Sequence, residues 1–417
     1  MSSRERKPLM HDSLHLDDKP RISTKLGKFV PSLTLQLKRL AGEREAAGLP
    51  VYDFGLGETK GDLDPEIIEA GVRAFQEQQT MYADPAGLPE LRQQVLRWLD
   101  LEQHYGIESV VITTGAKQAL FNIFLAVCNP ADCVLFDAAP WVSYQPLAVA
   151  SYAFPVAVLP LAGSDNRLKV TPADLRRNLE VRPHTRLFLL NNPCNPTAQL
   201  YSAQEVEALL RVCCEYKVYF VLDRLYWRIV FEEGGYPEPP IDDETRQWLI
   251  QVDGMSKNFR RTGGLRIGWA VGPEDVMKAA VNLQSHYTSG PSVPDQHAAI
   301  AAIDHAYNPS MVEELRAKRD LLLQHAEGMP HVKIWPTPAS FYSFWDVSGC
   351  FGKKTPGGKV IRTADDVSEY LVLEAGVVTA SGRAFLQDGF LRLSFATSEA
   401  HITEGMKAAK KALGALR

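Results

Sequence analysis

The sequence predicts an α/β fold with two parts: a large domain, whose mostly parallel sheet is covered by helices, and a smaller α+β domain. Two observations predict it. From about residue 64, short apolar runs alternate with helical stretches, and fully apolar strands interleaved with helices are typical of a parallel sheet covered on both faces. The last third of the chain mixes strands and helices that fit a second, smaller unit.

The 417 residues are long enough for two domains with sizeable cores. We expect residues 1–28 to form an N-terminal arm or a disordered tail, and residues 29–60 to form an N-terminal segment of the small domain. Residues 61–295 are expected to form the large domain. Residues 296–417 are then the C-terminal part of the small domain.

Periodicity and flanking residues predict the individual elements. Helices are expected at residues 29–47, 64–77, 88–103, 119–127, 203–217, 295–306, 310–328, 364–375 and 399–415. Strands are expected at residues 51–56, 109–114, 133–136, 155–159, 187–190, 218–222, 249–252, 267–271, 332–335, 341–347, 377–380 and 390–396. Residues 285–294 are expected to be irregular.

Composition limits the possible functions. The formal charge of −5 gives no basic face, so we expect neither a nucleic-acid partner nor a membrane partner. No apolar run approaches the roughly 20 residues that span a bilayer, and residues 1–27 lack an apolar signal region, so we expect a cytoplasmic protein. The six cysteines show no disulfide framework and no paired metal-binding spacing, which favours reduced thiols and no metal site.

Chemistry-bearing side chains follow the predicted strands at their carboxyl ends, where ligands bind in parallel sheets. Trp141, Asn195, Asp223 with Tyr226, and Lys257 each come just after such a strand. Taken singly, Trp141 could be a packing residue, Asn195 a turn former and Asp223 a helix cap. Their common placement favours one site.

Two short stretches suit an anionic ligand and an amine reaction. Residues 115–118 form a small-residue turn between a strand and a helix, where unpaired backbone N–H groups attract an anion. Residues 255–268 (MSKNFRRTGGLRIG) place the amine of Lys257 before two glycines and Arg266. A partly desolvated lysine can form a Schiff base, and an arginine can hold a phosphate through paired donors.

Four strings carry a family resemblance: residues 82–92 (YADPAGLPELR), 115–122 (GAKQALFN), 140–144 (PWVSY) and 392–399 (RLSFATSE). They are similar to those of fold-type I, pyridoxal-phosphate-dependent aminotransferases of class I/II, close to the bacterial aspartate aminotransferase subgroup (the Iγ-like subgroup). The resemblance extends from about residue 29 to the end of the chain. It implies the cofactor pyridoxal 5'-phosphate, bound in the large domain.

The resemblance also implies roles for the cofactor-binding residues. Lys257 would hold the cofactor and move protons, and Asp223 would pair with the protonated pyridine nitrogen. Asn195 and Tyr226 would hydrogen-bond the phenolic oxygen. Trp141 would stack on the ring, and Ser256 would also contact the cofactor. The phosphate site would be formed by Ala116, Lys117 through its backbone, Arg266, and Tyr82 of the partner subunit.

For the substrate, the resemblance implies that Arg392 clamps the α-carboxylate, with help from Gly57 and Asn195. It further implies a homodimer with shared active sites. The expected reaction transfers an amino group between an α-amino acid and a 2-oxo acid, through an external aldimine and a quinonoid.

Departures from the family pattern keep other functions open. Residues 57–61 (GETKG) differ from the usual string, one extra residue separates Lys257 from Arg266, and Arg224, residues 260–261 and Arg383 add charge. These changes suggest a more cationic substrate wall, or ordinary drift in loops. One alternative is therefore elimination, replacement, cyclisation or carbon–carbon bond formation on an amino acid or S-adenosylmethionine. Another is a regulator that binds an amino acid or cofactor without turnover.

Overall fold

The computed structural model describes residues 33–55, 57–59, 61–161, 167–305 and 309–417. The predicted N-terminal arm, residues 1–28, lies outside the described residues, as does Lys60 of the GETKG string. Residues 31–417 form one compact unit. The proposed boundary between a large and a small domain near residue 295 remains a prediction.

The strands of the described residues are β1 (Tyr52–Asp53), β2 (Val110–Thr114), β3 (Cys133–Phe136), β4 (Phe154–Ala157), β5 (Thr185–Asn191), β6 (Tyr219–Asp223), β7 (Leu249–Gly254), β8 (Ile267–Val271), β9 (Lys333–Ile334), β10 (Tyr342–Asp346), β11 (Val377–Val378), β12 (Ala380–Ser381) and β13 (Phe390–Ser394). The α-helices are α1 (Leu33–Ala46), α2 (Pro65–Gln76), α3 (Pro89–Trp98), α4 (Ala116–Val127), α5 (Tyr144–Ala150), α6 (Pro172–Glu180), α7 (Ala203–Tyr216), α8 (Met255–Asn258), α9 (Glu274–Tyr287), α10 (Val293–His305), α11 (Ser310–Ala326), α12 (Ala364–Ala375) and α13 (Glu399–Gly414).

A seven-stranded sheet with the order β2-β8-β7-β6-β5-β3-β4 forms the centre of the fold. Strands β4, β3, β5, β6 and β7 are parallel, whereas β8 runs antiparallel to both of its neighbours. Alternate residues of β5 enter different cores, because Leu187 and Leu189 pack on one face while Phe188 and Leu190 pack on the other. The predicted α/β class is confirmed.

A four-stranded antiparallel sheet, β12-β13-β10-β9, lies in the C-terminal region. Phe341, Trp345, Leu391 and Leu393 join a core that also takes in the helices α11, α12 and α13. Strand β1 pairs in parallel with β11, so the segment just before residue 57 packs with the C-terminal region.

Most observed elements lie close to their predicted positions, with differences at the ends. The helix predicted over residues 88–103 ends at Trp98, because Asp100 has a left-handed backbone conformation with φ of 55°. The segment predicted to be irregular, residues 285–294, includes the end of α9 and the start of α10. None of the helices in the described part of the chain combines the length and the apolar character that a membrane crossing requires.

Candidate active site

One cavity of about 450 Å³ lies at the carboxyl ends of the parallel strands. Strand β6 ends at Asp223, and β7 leads directly into the turn that bears Lys257. Every predicted site residue except Tyr82 lines this cavity: Gly57, Ala116, Lys117, Trp141, Asn195, Asp223, Tyr226, Ser256, Lys257, Arg266 and Arg392. Residues far apart in the sequence thus meet at one edge of the sheet, as the strand order requires.

The lysine turn is held from both sides. Lys257 lies on the short helix α8, and its Nζ donates a hydrogen bond to the carbonyl oxygen of Gly57. Asn258 donates to Oδ1 of Asp253 at 2.9 Å, and Thr262 donates to the carbonyl oxygen of Met255 at 2.7 Å. These bonds fix the backbone on each side of Lys257, so its side chain has a defined direction into the cavity.

The start of α4 forms a cradle for an anion. Gly115 precedes α4 with φ of 79° and leaves the helix without a side-chain cap. A Cβ at Gly115 would overlap the guanidinium of Arg266, and a Cβ at Gly268 would overlap the backbone of Ala116. Glycine is therefore required at both positions, and the start of α4 and Arg266 line the same cavity.

Asp223 is a buried carboxylate at the base of the cavity. Tyr144 donates a 2.6 Å hydrogen bond to its Oδ2, and the backbone N–H of Leu225 donates to its Oδ1 at 3.2 Å. Burial raises the pKa of Asp223 to about 6, although both hydrogen bonds act to lower it. Neither donor carries a positive charge. The negative charge of an ionised Asp223 is therefore left for a cation such as a protonated ring nitrogen.

Arg392 lies opposite, on β13. It donates to Oδ1 of Asn195 at 2.9 Å and to the carbonyl oxygen of Gly55 at 2.9 Å. Its Nε is buried and has no hydrogen-bond partner among the described residues. A buried, unpaired guanidinium N–H beside a cavity suits a carboxylate, because such a group is costly to leave unsatisfied.

Two tyrosines in the cavity were given no role in the sequence analysis. Tyr144 lies within the PWVSY string, so the string itself could have indicated it. Tyr342 also lines the cavity, and its hydroxyl lies 3.2 Å from that of Tyr226. No local sequence signal indicated Tyr342, because its position depends on how β10 pairs with β13.

Arg224 does not contribute to a cationic substrate wall. Its side chain is fully buried and is paired with Glu238 and with the amide oxygen of Gln251. The guanidinium lies 4.4 Å above the ring of Trp227. Because residues alternate in direction along an extended chain, Arg224 points away from the cavity that Asp223 enters.

Arg260 and Arg383 are also engaged elsewhere. Arg260 forms a 2.7 Å ion pair with Glu314 of α11. Arg383 lies between Asp365 and Asp388, at 3.3 and 3.6 Å. Neither residue lines the cavity. The expectation that these arginines form a remodelled, more cationic wall is therefore wrong, and the alternative reactions lose that support.

Tyr82 lies outside the cavity and is 97% exposed. Its neighbour Met81 is 84% exposed, and Phe75 at the end of α2 is 64% exposed. The role predicted for Tyr82 depends on a second copy of the chain, so its exposure in a single chain agrees with that prediction without testing it.

Known proteins resemble this chain over nearly its whole length. The profile of the aminotransferase class I and II family matches residues 50–408. A probable aspartate/prephenate aminotransferase of Rickettsia felis is 31% identical, with 95% of this chain and 97% of that protein covered. The crystal structure of an aspartate aminotransferase from Rhizobium meliloti superposes with a TM-score of 0.89 at 29% identity, covering 96% of this chain and 100% of that one. A Thermus thermophilus aspartate aminotransferase with maleate gives a TM-score of 0.85 at 30% identity, covering 94% and 100%.

The fold and these likenesses define a fold-type I, pyridoxal-phosphate-dependent transferase. The chain belongs to the aminotransferase class I and II family, and it is an aminotransferase. The resemblance that the four sequence strings indicated is thus confirmed.

Proposed function

We propose that this aminotransferase binds pyridoxal 5'-phosphate through Lys257 and passes an amino group from an acidic α-amino acid to a 2-oxo acid. One observation carries the proposal: an amine, a buried carboxylate and a buried guanidinium line the same cavity, at Lys257, Asp223 and Arg392. When bound, pyridoxal phosphate supplies an aldehyde for amines and a ring that accepts electrons from the substrate α-carbon.

The residues fit this cofactor. The cradle of Ala116, the Lys117 backbone, Ser256 and Arg266 suits a phosphate, because helix N–H groups and a guanidinium converge there. Asp223 suits a protonated pyridine nitrogen, which would supply the cation that its buried carboxylate lacks. A positive partner favours the ionised carboxylate and so opposes the effect of burial on the Asp223 pKa.

Trp141, Asn195 and Tyr226 would complete the contacts to the ring. The indole of Trp141 borders the cavity and packs edge-on against Tyr144, with ring centroids 5.5 Å apart. Asn195 donates to the hydroxyl oxygen of Tyr226 at 3.2 Å, and the Tyr226 hydroxyl would donate to a phenolic oxygen. Trp141 would stack on the cofactor ring, and Asn195 and Tyr226 would hydrogen-bond its edge.

Lys257 acts as the proton-transfer group. Its Nζ lines the cavity, where the free amine would accept the proton from the α-carbon of the amino acid and return a proton later in the reaction. The hydrogen bond to the carbonyl oxygen of Gly57 gives Nζ a resting position beside the place proposed for the α-carboxylate. Arg392 would orient that carboxylate through its guanidinium, with Asn195 and the Gly57 backbone nearby.

A second cation supports an acidic side chain in the substrate. The ammonium of Lys117 lies 5.0 Å above the ring of Trp141, and both residues line the cavity. Partial burial and the nearby Arg266 lower the pKa of Lys117, so a carboxylate would relieve two unfavourable interactions. The relatives named as aspartate/prephenate aminotransferases, and the Thermus thermophilus structure with maleate, support the same class of ligand.

We also propose a homodimer with shared active sites. The exposed apolar residues Phe75, Met81 and Tyr82 lie together in sequence around the end of α2. Large exposed apolar groups of this kind are typical of an interface. In a dimer, the partner subunit's Tyr82 would add a hydroxyl to the phosphate cradle.

A two-stage experiment tests the proposal. Protein reconstituted with pyridoxal phosphate is reduced with borohydride and digested, and the mass increase should lie on the peptide that contains Lys257. In a second sample, aspartate without an acceptor should convert the visible absorbance to the near-ultraviolet absorbance of pyridoxamine phosphate. Lys257→Ala should lose both signals. A cofactor mass elsewhere in the chain would refute the Lys257 assignment, and a released leaving group in place of pyridoxamine phosphate would refute transamination.

A further inference from the structure

Tyr342 connects the substrate clamp with the phenol of Tyr226. It begins β10 and is 2% exposed. In the antiparallel pair of β10 and β13, Phe344 lies opposite Arg392 and Tyr342 lies opposite Ser394. Tyr342 and Arg392 are therefore diagonal neighbours on the same face, within reach of long side chains. The guanidinium of Arg392 lies 4.3 Å above the Tyr342 ring.

The orientation of Asn195 is fixed by its neighbours. Its Oδ1 accepts from Arg392 at 2.9 Å, and an arginine has no acceptor atom. The Nδ2 group of Asn195 must then face Tyr226, to which it donates at 3.2 Å. One acceptor position on the Tyr226 oxygen is therefore occupied.

The direction of the Tyr226 proton depends on which of two neighbouring hydroxyls donates to the other. The two hydroxyl oxygens lie 3.2 Å apart, and either could donate. If Tyr226 donated, it would present no proton to the cavity. If Tyr342 donates, the Tyr226 oxygen accepts from two protein groups, and its own proton is left for a ligand. Burial keeps Tyr226 protonated, because it raises the pKa of that phenol well above its usual value.

Gly57 fixes the position of the Tyr342 hydroxyl. A Cβ at Gly57 would overlap the Tyr342 oxygen, so the hydroxyl is in close contact with the Gly57 backbone. The carbonyl oxygen of the same residue accepts from Lys257. The Tyr342 hydroxyl is thus confined between this backbone and Tyr226, where its remaining freedom is small.

We propose that Tyr342 is a positioning residue of this site: its hydroxyl turns the proton of Tyr226 toward the bound cofactor, and its ring holds the guanidinium of Arg392 for the substrate carboxylate. This inference rests on the proposed function, since it assigns Tyr226 as a donor to the cofactor's phenolic oxygen. The hydroxyl of Tyr342 acts on Tyr226 and its ring acts on Arg392, so substitutions can test the two roles separately.

Tyr342→Phe removes the hydroxyl and keeps the ring. Without the hydrogen bond donated by Tyr342, the O–H of Tyr226 is less polarised and is a weaker donor. A donor to the phenolic oxygen favours the more anionic form of the bound cofactor, so a weaker donor raises the pH at which the visible absorbance of the cofactor changes. We expect this midpoint to rise by about half a unit or more. The charged groups around the pair, Arg392, Lys257 and Asp223, are unchanged in the variant. The KM for the amino donor should stay within about twofold, because the stack on Arg392 is retained.

Tyr342→Leu removes both the hydroxyl and the aromatic ring. It should raise the absorbance midpoint as Tyr342→Phe does, and in addition raise the KM for the amino donor by about threefold to tenfold, through loss of the ring beneath Arg392. Tyr370→Phe is the matched control, because Tyr370 also has a buried hydroxyl, which donates to the carbonyl oxygen of Ala412 at 2.7 Å, and it does not line the cavity. The control should leave the midpoint and the KM unchanged.

The failure of this inference can be distinguished from failure of the proposed function. If wild-type protein shows no visible absorbance with pyridoxal phosphate, the proposed function fails and this inference fails with it. If wild type is normal and folded Tyr342→Phe protein has an unchanged midpoint, only the role of the hydroxyl is overturned. An equal KM for Tyr342→Phe and Tyr342→Leu would overturn the role of the ring.

Discussion

The hydroxyl of Tyr144 donates a 2.6 Å hydrogen bond to Oδ2 of Asp223, and both side chains are buried. Tyr144 begins α5, whereas Asp223 ends β6, so two separate elements set the position of this carboxylate. A hydrogen bond to a buried carboxylate stabilises its ionised form. Tyr144 therefore helps to keep Asp223 charged.

Tyr144→Phe should weaken the binding of pyridoxal phosphate by about tenfold, because the lost bond is one to a charged group. Titration of the cofactor-free protein, followed by tryptophan fluorescence, measures the affinity. Tyr105→Phe is the control, since its buried hydroxyl donates to the carbonyl oxygen of Arg246 and it does not line the cavity. Equal affinities of the two variants for pyridoxal phosphate would contradict a role of Tyr144 in keeping Asp223 ionised.

The stability of the cofactor-free protein should depend on pH through Asp223. Burial raises the pKa of this carboxyl from 3.8 to about 6. The folded protein then binds this proton more tightly than the unfolded chain does, so the contribution of Asp223 to stability falls as the pH rises from about 4 to about 6.

Asp223→Asn removes this contribution. The variant should gain stability over wild type across that pH range, by on the order of 2 kcal/mol at pH 7, and thermal melts at a series of pH values measure the difference. With pyridoxal phosphate bound to wild type, the gain should disappear, because a protonated ring nitrogen favours the ionised carboxylate. A difference that stays constant from pH 4 to pH 7 would rule out titration of Asp223.

Arg392→Ala should raise the KM for every α-amino acid by about 100-fold, because it removes a paired, charge-assisted contact to the α-carboxylate. Arg392→Lys should recover only part of the loss, since an ammonium cannot offer two parallel donors. Arg383→Ala serves as the matched control, because Arg383 pairs with Asp365 and Asp388 away from the cavity. Steady-state kinetics with the three variants decide the assignment, and an unchanged KM in Arg392→Ala would refute it.

Lys117→Gln should change the choice of substrate. We expect the KM for aspartate and glutamate to rise by about tenfold, with little change for apolar amino acids, because only the acidic side chains lose an opposite charge. The KM of the same variant for apolar amino acids serves as the control for its KM for acidic amino acids. A uniform rise for all donors would instead indicate that Lys117 acts on the cofactor.

The common position of the predicted site residues other than Tyr82 could be read from the sequence, because each lies close to the end of a strand. Lys257, Asp223 and Asn195 each follow a strand within a few residues, so recognising the strands placed them at one edge of the sheet. The glycine turn before α4 was likewise visible as a short string. Only the roles of these residues still await experiment.

The directions of the added arginines could not be read from the sequence. Arg224 follows Asp223 directly, yet its partner Glu238 and its aromatic neighbours come from later segments. Arg260 is neutralised by Glu314 on a helix that begins at Ser310. Tyr342 was missed for the same reason, because cross-strand register brings it to Arg392. Each of these contacts depends on long-range packing that no local pattern encodes.

The contact between Gly57 and the Tyr342 hydroxyl has a consequence for the descent of this enzyme. Any side chain at position 57 would collide with that oxygen. A lineage can therefore acquire a larger residue there only after the tyrosine has been exchanged for a residue that frees the space. Positions 57 and 342 should change together among relatives, although 284 residues lie between them.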